Sequence, residues 1–143
     1  MGSETKFLKK KVYELGLSNQ IKFIGRCEYR TLPDLINKND IYVSTSLSDA
    51  GISSSIAEAM ACEKIVVVSD SGENKLWITN CLNGFLFKTG SSSSLYNSLI
   101  TALSYKNSWN KIGLNGRETI IKRNDIDNEM SKMNELMNSL LFS

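Results

Sequence analysis

The segment "IVVVSD", residues 65–70, constrains the fold most, because its apolar residues stand next to one another without alternation. A strand with one face in water alternates apolar and polar residues, whereas a strand of a parallel sheet has helices on both faces and is apolar throughout. The helical pattern "IAEAMAC" precedes this segment, and "GENKLWIT" has the pattern of a short helix after it. The segment therefore predicts a buried strand of an α/β fold.

The rest of the chain alternates strand and helix patterns in the same way. Strand patterns occur at 21–25, 41–45, 65–70 and 83–88, and helical patterns at 4–17, 31–39, 55–63, 91–105, 108–124 and 125–142. Such alternation predicts an α/β, doubly wound, Rossmann-like parallel sheet of about four strands with helices on both faces. We expect a single domain over 1–143, with its C-terminal helices from about residue 107 onward.

Composition excludes several classes of function. Lysine and arginine number 17 and acidic residues 15, so a net charge of +2 gives no electrostatic footprint for nucleic acid. The chain has no histidine, which excludes Ser-His-Asp and Cys-His catalysis and the commonest metal ligand. We therefore expect no metal and no cofactor. Cys27, Cys62 and Cys81 form no CxxC pair, and an odd number of cysteines without a secretory signal favours reduced thiols in the cytoplasm. No apolar run approaches the roughly 20 residues that span a bilayer, so we expect no transmembrane segment.

Small and polar residues fill the connection "LSDAGIS", which joins a predicted strand to a predicted helix that begins at about Ser54 or Ser55. Ligands of open parallel sheets bind outside the carboxyl ends of the strands, where such connections lie. Gly51 lets the backbone approach a ligand, and Ser53 to Ser55 add hydroxyls to the free amides of the first helical turn. This pattern indicates a site for a phosphate or diphosphate.

Glu58 follows in the same helix, and its carboxylate would repel a phosphate. The vicinal hydroxyls of a ribose are partners that such a carboxylate would bind while the amides hold the diphosphate. The alternative is a capping box, in which Ser55 caps the helix and Glu58 bonds back to the amide of Ser55. The local pattern leaves both interpretations open.

Larger motifs carry a family resemblance. They are "FIG" before "LPDLINKNDIYV", "IAEAMAC" before a valine-rich strand that runs into "SDSGENKLWI", and "NGFLF". Over nearly its whole length the chain resembles the carboxyl-terminal, donor-binding domain of retaining glycosyltransferases of the group 1, or family 4, type. The resemblance implies a GT-B architecture and transfer of a sugar from a UDP- or GDP-sugar to a polysaccharide, lipopolysaccharide or lipid acceptor, as in cell-surface polysaccharide biosynthesis.

The resemblance also implies a donor site. Two Glu residues at a fixed spacing mark that site in the family, and Glu58 matches the second, which contacts the ribose. Ala50 stands at the first, so we expect the neighbouring Asp49 to replace the carboxylate that contacts the sugar. Backbone amides for the diphosphate would come from Gly51, Ile52, Ser53 and Ser54. The base pocket would be lined by Arg26, Cys27 and Glu28, for which a solvated turn is the alternative. Glu63 stands at a position usually held by glycine, at the end of the helix.

Relatives in this family also have an amino-terminal acceptor domain and an upstream Arg and Lys that clamp the diphosphate. No such segment precedes Glu4, so we expect a truncated donor domain that does not turn over alone. The full-length protein would be cytoplasmic or peripheral at the inner membrane face. A sheet edge left uncovered and the apolar C-terminal helix predict self-association. The alternatives are a nucleotide-sugar epimerase of the same architecture and a non-catalytic α/β interaction module.

Overall fold

The computed structural model describes residues 4–47, 51–124 and 126–141. The helices and strands, in chain order, are α1 Thr5–Glu14, a 3-10 helix Tyr29–Thr31, α2 Leu32–Asn37, β1 Ile41–Ser44, α3 Ser54–Ala61, β2 Ile65–Ser69, α4 Asn74–Trp77, β3 Phe85–Phe87, α5 Ser92–Ser104, a 3-10 helix Lys106–Ser108, α6 Trp109–Asn124 and α7 Ile126–Leu141. The chain divides into two compact units, one up to Leu32 and the other from Pro33 onward.

The unit that begins at Pro33 contains a parallel sheet in the order β1-β2-β3. Ile41 of β1 lies opposite Ile65 of β2, and Val67 of β2 lies opposite Phe85 of β3. The central strand is the segment "IVVVS", and each of its residues is buried. The predicted fold class, a parallel α/β sheet with helices on both faces, is confirmed.

The expectation of a fourth strand at 21–25 is wrong. These residues form no strand in the described part of the chain, and Ile21, Phe23 and Ile24 are 42%, 39% and 54% exposed. The N–H of Ile21 donates instead to the carbonyl oxygen of Leu17, at 3.1 Å. Branched and aromatic residues fit a strand only where a neighbouring strand pairs with it and its apolar face is covered. The composition of the segment does not show whether such a neighbouring strand is present.

Both faces of β2 are buried because neighbouring side chains point to opposite sides of the sheet. Ile65 and Val67 belong to a cluster with Phe85, Phe87, Ala102 of α5 and Ile112 of α6. Val66 and Val68 point to the other face and are equally buried. Helix α3 packs on β1 and β2 and supplies buried Ile56 and Met60, which lie outside that cluster.

The helix ends follow several of the local signals. Gly16 has φ of +68° just past the end of α1, a conformation that glycine adopts readily. The hydroxyl of Ser91 accepts a hydrogen bond from the N–H of Ser94 at 3.2 Å, so the serine run 91–94 forms the start of α5. Helix α6 begins at Trp109, close to the expected start of the C-terminal helices.

Glu63 ends α3 in a left-handed conformation, with φ of +58°. The N–H of Glu63 donates to the carbonyl of Met60 at 2.9 Å, and the N–H of Lys64 donates to that of Ala59 at 3.0 Å. These two bonds form a Schellman motif, which favours glycine at the position of Glu63 because the left-handed region crowds a Cβ atom. The prediction that this residue concerns the helix end is confirmed.

Candidate functional site

The three strands are parallel, so the connections after Ser44, Ser69 and Phe87 meet at one edge of the sheet. Two of these connections are tied together by serine hydroxyls. Ser69 Oγ donates to the carbonyl oxygen of Ser46 at 2.6 Å, and Ser71 Oγ donates to the same oxygen at 3.2 Å. Both hydroxyls lie on buried residues, so water competes little for these bonds. The connection after β2 is therefore fixed against the connection after β1.

Helix α3 begins at this edge with a partly open amino terminus. Its N-cap, Ser53, is extended with φ −68° and ψ 146°, and its side chain makes no capping hydrogen bond. The carbonyl oxygen of Ser53 accepts from the amides of Ile56 and Ala57, each at 3.0 Å. The amides of Ser54 and Ser55 precede any intrahelical acceptor and have no partner among the described residues. Two backbone donors and the positive end of the helix dipole are thus available to an anion.

Gly51 lies just before this helix and has φ of +74°, a conformation that residues with a Cβ atom rarely adopt. A Cβ atom built on Gly51 would lie 3.8 Å from Oε2 of Glu73, in the connection after β2. The glycine therefore keeps the backbone exposed at the point where the two connections approach each other. A ligand held by the amides of α3 would lie close to this backbone.

Glu58 lies in α3, half-buried, and its carboxylate makes no hydrogen bond or ion pair with any described residue. The capping-box interpretation is wrong, because the N-cap is Ser53 and Glu58 stands five residues after it. A capping box needs the glutamate three residues after the cap, where its carboxylate reaches back to the cap amide. The acceptor capacity of Glu58 is therefore not used to cap its own helix.

Asp70 joins the connection after β2 to the end of β3. Its Oδ1 accepts from the backbone N–H of Thr89 at 2.8 Å and from the hydroxyl of Thr89 at 2.7 Å. Its Oδ2 lies 3.2 Å from Nζ of Lys75. The backbone and hydroxyl hydrogen bonds from Thr89, together with Lys75, lower the pKa of Asp70 from its ordinary 3.8 to about 2. Asp70 is therefore a structural anion that holds the turn into α4.

The structure brings only some of the predicted site residues together. Gly51, Ile52, Ser53, Ser54 and Glu58 lie on one continuous stretch at the carboxyl edge. Asp49 and Ala50 lie outside the described residues.

The three residues predicted for the base pocket belong to the unit that ends at Leu32, where they are exposed. Cys27 Sγ lies 3.2 Å from the hydroxyl of Thr31, which donates to the carbonyl of Glu28 at 2.9 Å. Arg26 precedes this turn. Their assignment to a base pocket stays a prediction.

Sequence reasoning missed the residues of the connection after β2. Glu73 lies next to Gly51, and Asp70, Ser69 and Ser71 fix the turn that carries it. A signal existed, because "SDSGE" directly follows the buried strand and therefore starts at the ligand-binding edge.

The arrangement of these groups suits a polar ligand that has an anionic centre. Backbone donors lie at the start of α3, and two carboxylates, Glu58 and Glu73, have no protein partner among the described residues. Carboxylates accept hydrogen bonds from hydroxyl groups, while the amides and the helix dipole attract negative charge. In the part of the chain that the structure describes, no helix is both long and apolar enough to cross a membrane.

Comparison with known proteins gives the same picture. The family model described as glycosyl transferases group 1 matches residues 1–119. A relative from Methanocaldococcus jannaschii, the uncharacterized glycosyltransferase MJ1069, is 29% identical over 108 residues, which are 76% of this chain and 27% of the relative. The chain thus spans about a quarter of that relative's length.

Solved structures match most of the chain as well. HepE from Anabaena, solved in complex with UDP-glucose, is 28% identical with a TM-score of 0.83, covering 97% of this chain and 38% of HepE. The C-terminal domain of LpcC from Francisella tularensis, a glycosyl transferase group 1 family protein, is 28% identical with a TM-score of 0.76, covering 88% of this chain and 66% of that one. Sucrose-phosphate synthase from Thermosynechococcus elongatus has a TM-score of 0.82 at 23% identity, covering 98% of this chain and 35% of its own, and shares the fold.

Proposed function

Because the chain belongs to the group 1 glycosyl transferases, we propose that it is the donor-binding part of an enzyme that transfers a sugar from a nucleoside diphosphate sugar. The observation that carries the proposal is the start of α3, where the amides of Ser54 and Ser55 have no partner among the described residues. Free amides at a helix amino terminus bind phosphate through hydrogen bonds and the helix dipole. HepE, which has the same fold, was solved with UDP-glucose.

In this proposal the amides hold the diphosphate and Glu58 accepts hydrogen bonds from the ribose hydroxyls. Gly51 lets the backbone approach the diphosphate, because glycine has no side chain and adopts the positive φ found here. Sugar transfer leaves negative charge on the departing nucleoside diphosphate. Donors that are already oriented stabilise that charge without reorganisation, so the protein needs no histidine base for this step.

The proposal extends to the whole reaction. The donor is a UDP- or GDP-sugar, the product retains its anomeric configuration, and the acceptor is a polysaccharide, lipopolysaccharide or lipid. An acceptor-binding domain completes the site and the reaction takes place on the cytoplasmic side. The assignments of Asp49 to the sugar and of Arg26, Cys27 and Glu28 to the base are part of this proposal. The support for the uridine nucleotide is the complex of HepE, which the chain resembles over 97% of its length.

Calorimetric titration of the chain with UDP and GDP tests the proposal. We expect saturable binding of one of them, weakened roughly ten-fold by Glu58→Gln, because a charged acceptor is replaced by a weaker neutral one. The melting temperature should stay nearly unchanged, since Glu58 makes no hydrogen bond or ion pair with a described residue. Glu63→Gln, at the other end of α3, is the matched control and should leave the affinity unchanged. A folded chain that binds neither nucleotide contradicts the proposal.

A further inference from the structure

Glu73 is an acidic side chain at the candidate site that the proposed function leaves without a role. Its Oε2 lies 3.8 Å from the position of a Cβ atom built on Gly51, the glycine that precedes the open end of α3. The residue is exposed, and its carboxylate makes no hydrogen bond or ion pair with a described residue. This carboxylate lies beside the Gly51 backbone and can accept hydrogen bonds, but no described residue donates one to it.

A structural role for this carboxylate is not evident in its own helix. Glu73 is the N-cap of α4, a position where a side-chain oxygen often accepts from the first helical amides, yet its side chain makes no such bond. Lys75 is the nearest cation in sequence, and its Nζ lies 3.2 Å from Oδ2 of Asp70. The side chain of Glu73 therefore neither caps the helix nor pairs with that lysine.

The turn that carries Glu73 is held in place from several sides. Ser69 and Ser71 donate to the carbonyl of Ser46, at 2.6 and 3.2 Å, and Asp70 accepts two hydrogen bonds from Thr89. A site residue on such a turn keeps its position without help from a ligand, which is the requirement for recognition by an oriented acceptor.

The charge of Glu73 decides what it would bind. A carboxylate next to a diphosphate repels it, so an acid at this position weakens the binding of the nucleotide part. It gains only from donors, which in a nucleoside diphosphate sugar are the N–H groups of the base, the ribose hydroxyls and the hydroxyls of the transferred sugar. The proposed function assigns the ribose to Glu58 and the base to residues 26–28, which leaves the hydroxyls of the transferred sugar for Glu73. Glu58 lies on α3 itself, whereas Glu73 comes from the neighbouring connection, beside Gly51.

We propose that Glu73 is a specificity-determining residue whose carboxylate accepts hydrogen bonds from hydroxyls of the donor sugar, next to the Gly51 backbone. This inference rests on the proposed function and adds the residue that selects the sugar. Glu73 then acts on the sugar alone. Removing its charge weakens the binding of the sugar nucleotide but not that of the bare nucleoside diphosphate.

Calorimetry on the full chain tests this with two matched ligand pairs, UDP with UDP-glucose and GDP with GDP-glucose. For the pair that binds, Glu73→Gln should weaken sugar-nucleotide affinity roughly ten-fold. It should leave the affinity for the bare nucleotide within about two-fold or improve it, because repulsion of the phosphates is lost. Glu73→Ala should act in the same direction. Glu63→Gln, a change in an exposed glutamate at the far end of α3, should alter neither affinity.

The outcomes separate the two proposals. If the wild-type chain binds a bare nucleotide and Glu73→Gln leaves the ratio of the two affinities unchanged, the role of Glu73 is refuted and the proposed function stands. An equal loss for both ligands also refutes it, since Glu73 would then support the nucleotide or the turn. If the folded wild-type chain binds none of the four ligands, the proposed function fails and the inference fails with it.

Discussion

Helices α3 and α7 have similar apolar spacing and opposite environments. In α3, Ile56, Ala57, Ala59 and Met60 are all buried. In α7, every side chain described between residues 130 and 139 is exposed, including Met130 at 54% and Met133 at 58%. The repeat of apolar residues predicted both helices correctly, but it did not tell which of them would be packed.

The difference between the two helices shows what keeps the candidate site in position. Helix α3 is fixed between β1, β2 and α6, so its amino terminus points to one place at the edge of the sheet. Short helices are marginal in water by themselves, and packing of one face supplies most of their stability in a protein. We therefore expect substitutions around α3 to have large effects and those in α7 small ones. Self-association through the exposed face of α7 stays a prediction.

The largest expected effect is a truncation at the centre of α3. Met60 is completely buried, so Met60→Ala removes apolar contacts and leaves a cavity, and the free energy of unfolding should fall by about 2–5 kcal/mol. The same change at Met133, which is 58% exposed, should cost less than about 0.5 kcal/mol. Urea denaturation of both variants measures this. Equal losses would show that α7 is packed as tightly as α3 in solution.

A second substitution tests the contact that fixes the carboxyl end of α3. A Cβ atom at Gly113 of α6 would overlap the carbonyl oxygen of Glu63. Gly113→Ala must therefore push the two helices apart, at a cost of about 1–3 kcal/mol.

Gly116 in the same helix is the matched control, since its nearest neighbour would be the carbonyl oxygen of Asn83 at 3.3 Å. The gain in helix propensity of up to about 1 kcal/mol offsets this tighter contact. Thermal unfolding of both variants should show a loss for Gly113→Ala alone. If both variants were as stable as the wild type, the contact between α3 and α6 would be loosely packed.

The smallest expected effect concerns the turn beside the other end of α3 and is confined to acid pH. Because the pKa of Asp70 is about 2 in the folded chain against 3.8 ordinarily, its ionised form stabilises the fold. This contribution is complete above about pH 4 and is lost as the pH falls towards 2.

Asp70→Asn should remove this part of the pH dependence and make the fall in stability between pH 4 and 2 shallower. Denaturation midpoints at several pH values measure the slope, and NMR titration of the carboxyl carbon measures the pKa of Asp70 directly. Glu73→Gln serves as the control, because this neighbouring carboxylate has no hydrogen-bond partner among the described residues. An unchanged slope in Asp70→Asn would show that the bonds to Thr89 do not persist in solution.

Particular residues show how far sequence reasoning reached. The buried run at 65–68 predicted the central strand because burial on both faces leaves a pattern in consecutive residues. The segment 21–25 has a similar composition and forms no strand, because a strand also needs a neighbour that the local sequence does not contain. Ser55 and Glu58 match the capping-box spacing, but the helix begins one residue before Ser55, and Ser53 occupies the N-cap position. The shift of the N-cap by two residues, from Ser55 to Ser53, takes Glu58 out of the capping-box position.

The sequence by itself determined the order of the helices and strands from about residue 31 onward, the parallel sheet and the polar stretch that begins at its edge, because these depend on local periodicity and on turn residues. Only the tertiary structure decided that Glu73 lies beside Gly51, that Asp70 joins Thr89, and that α3 rather than α7 is buried. Residues that are distant in the chain meet through the register of the sheet and the packing of helices on it. That information is spread over the whole chain and is not readable from any one segment.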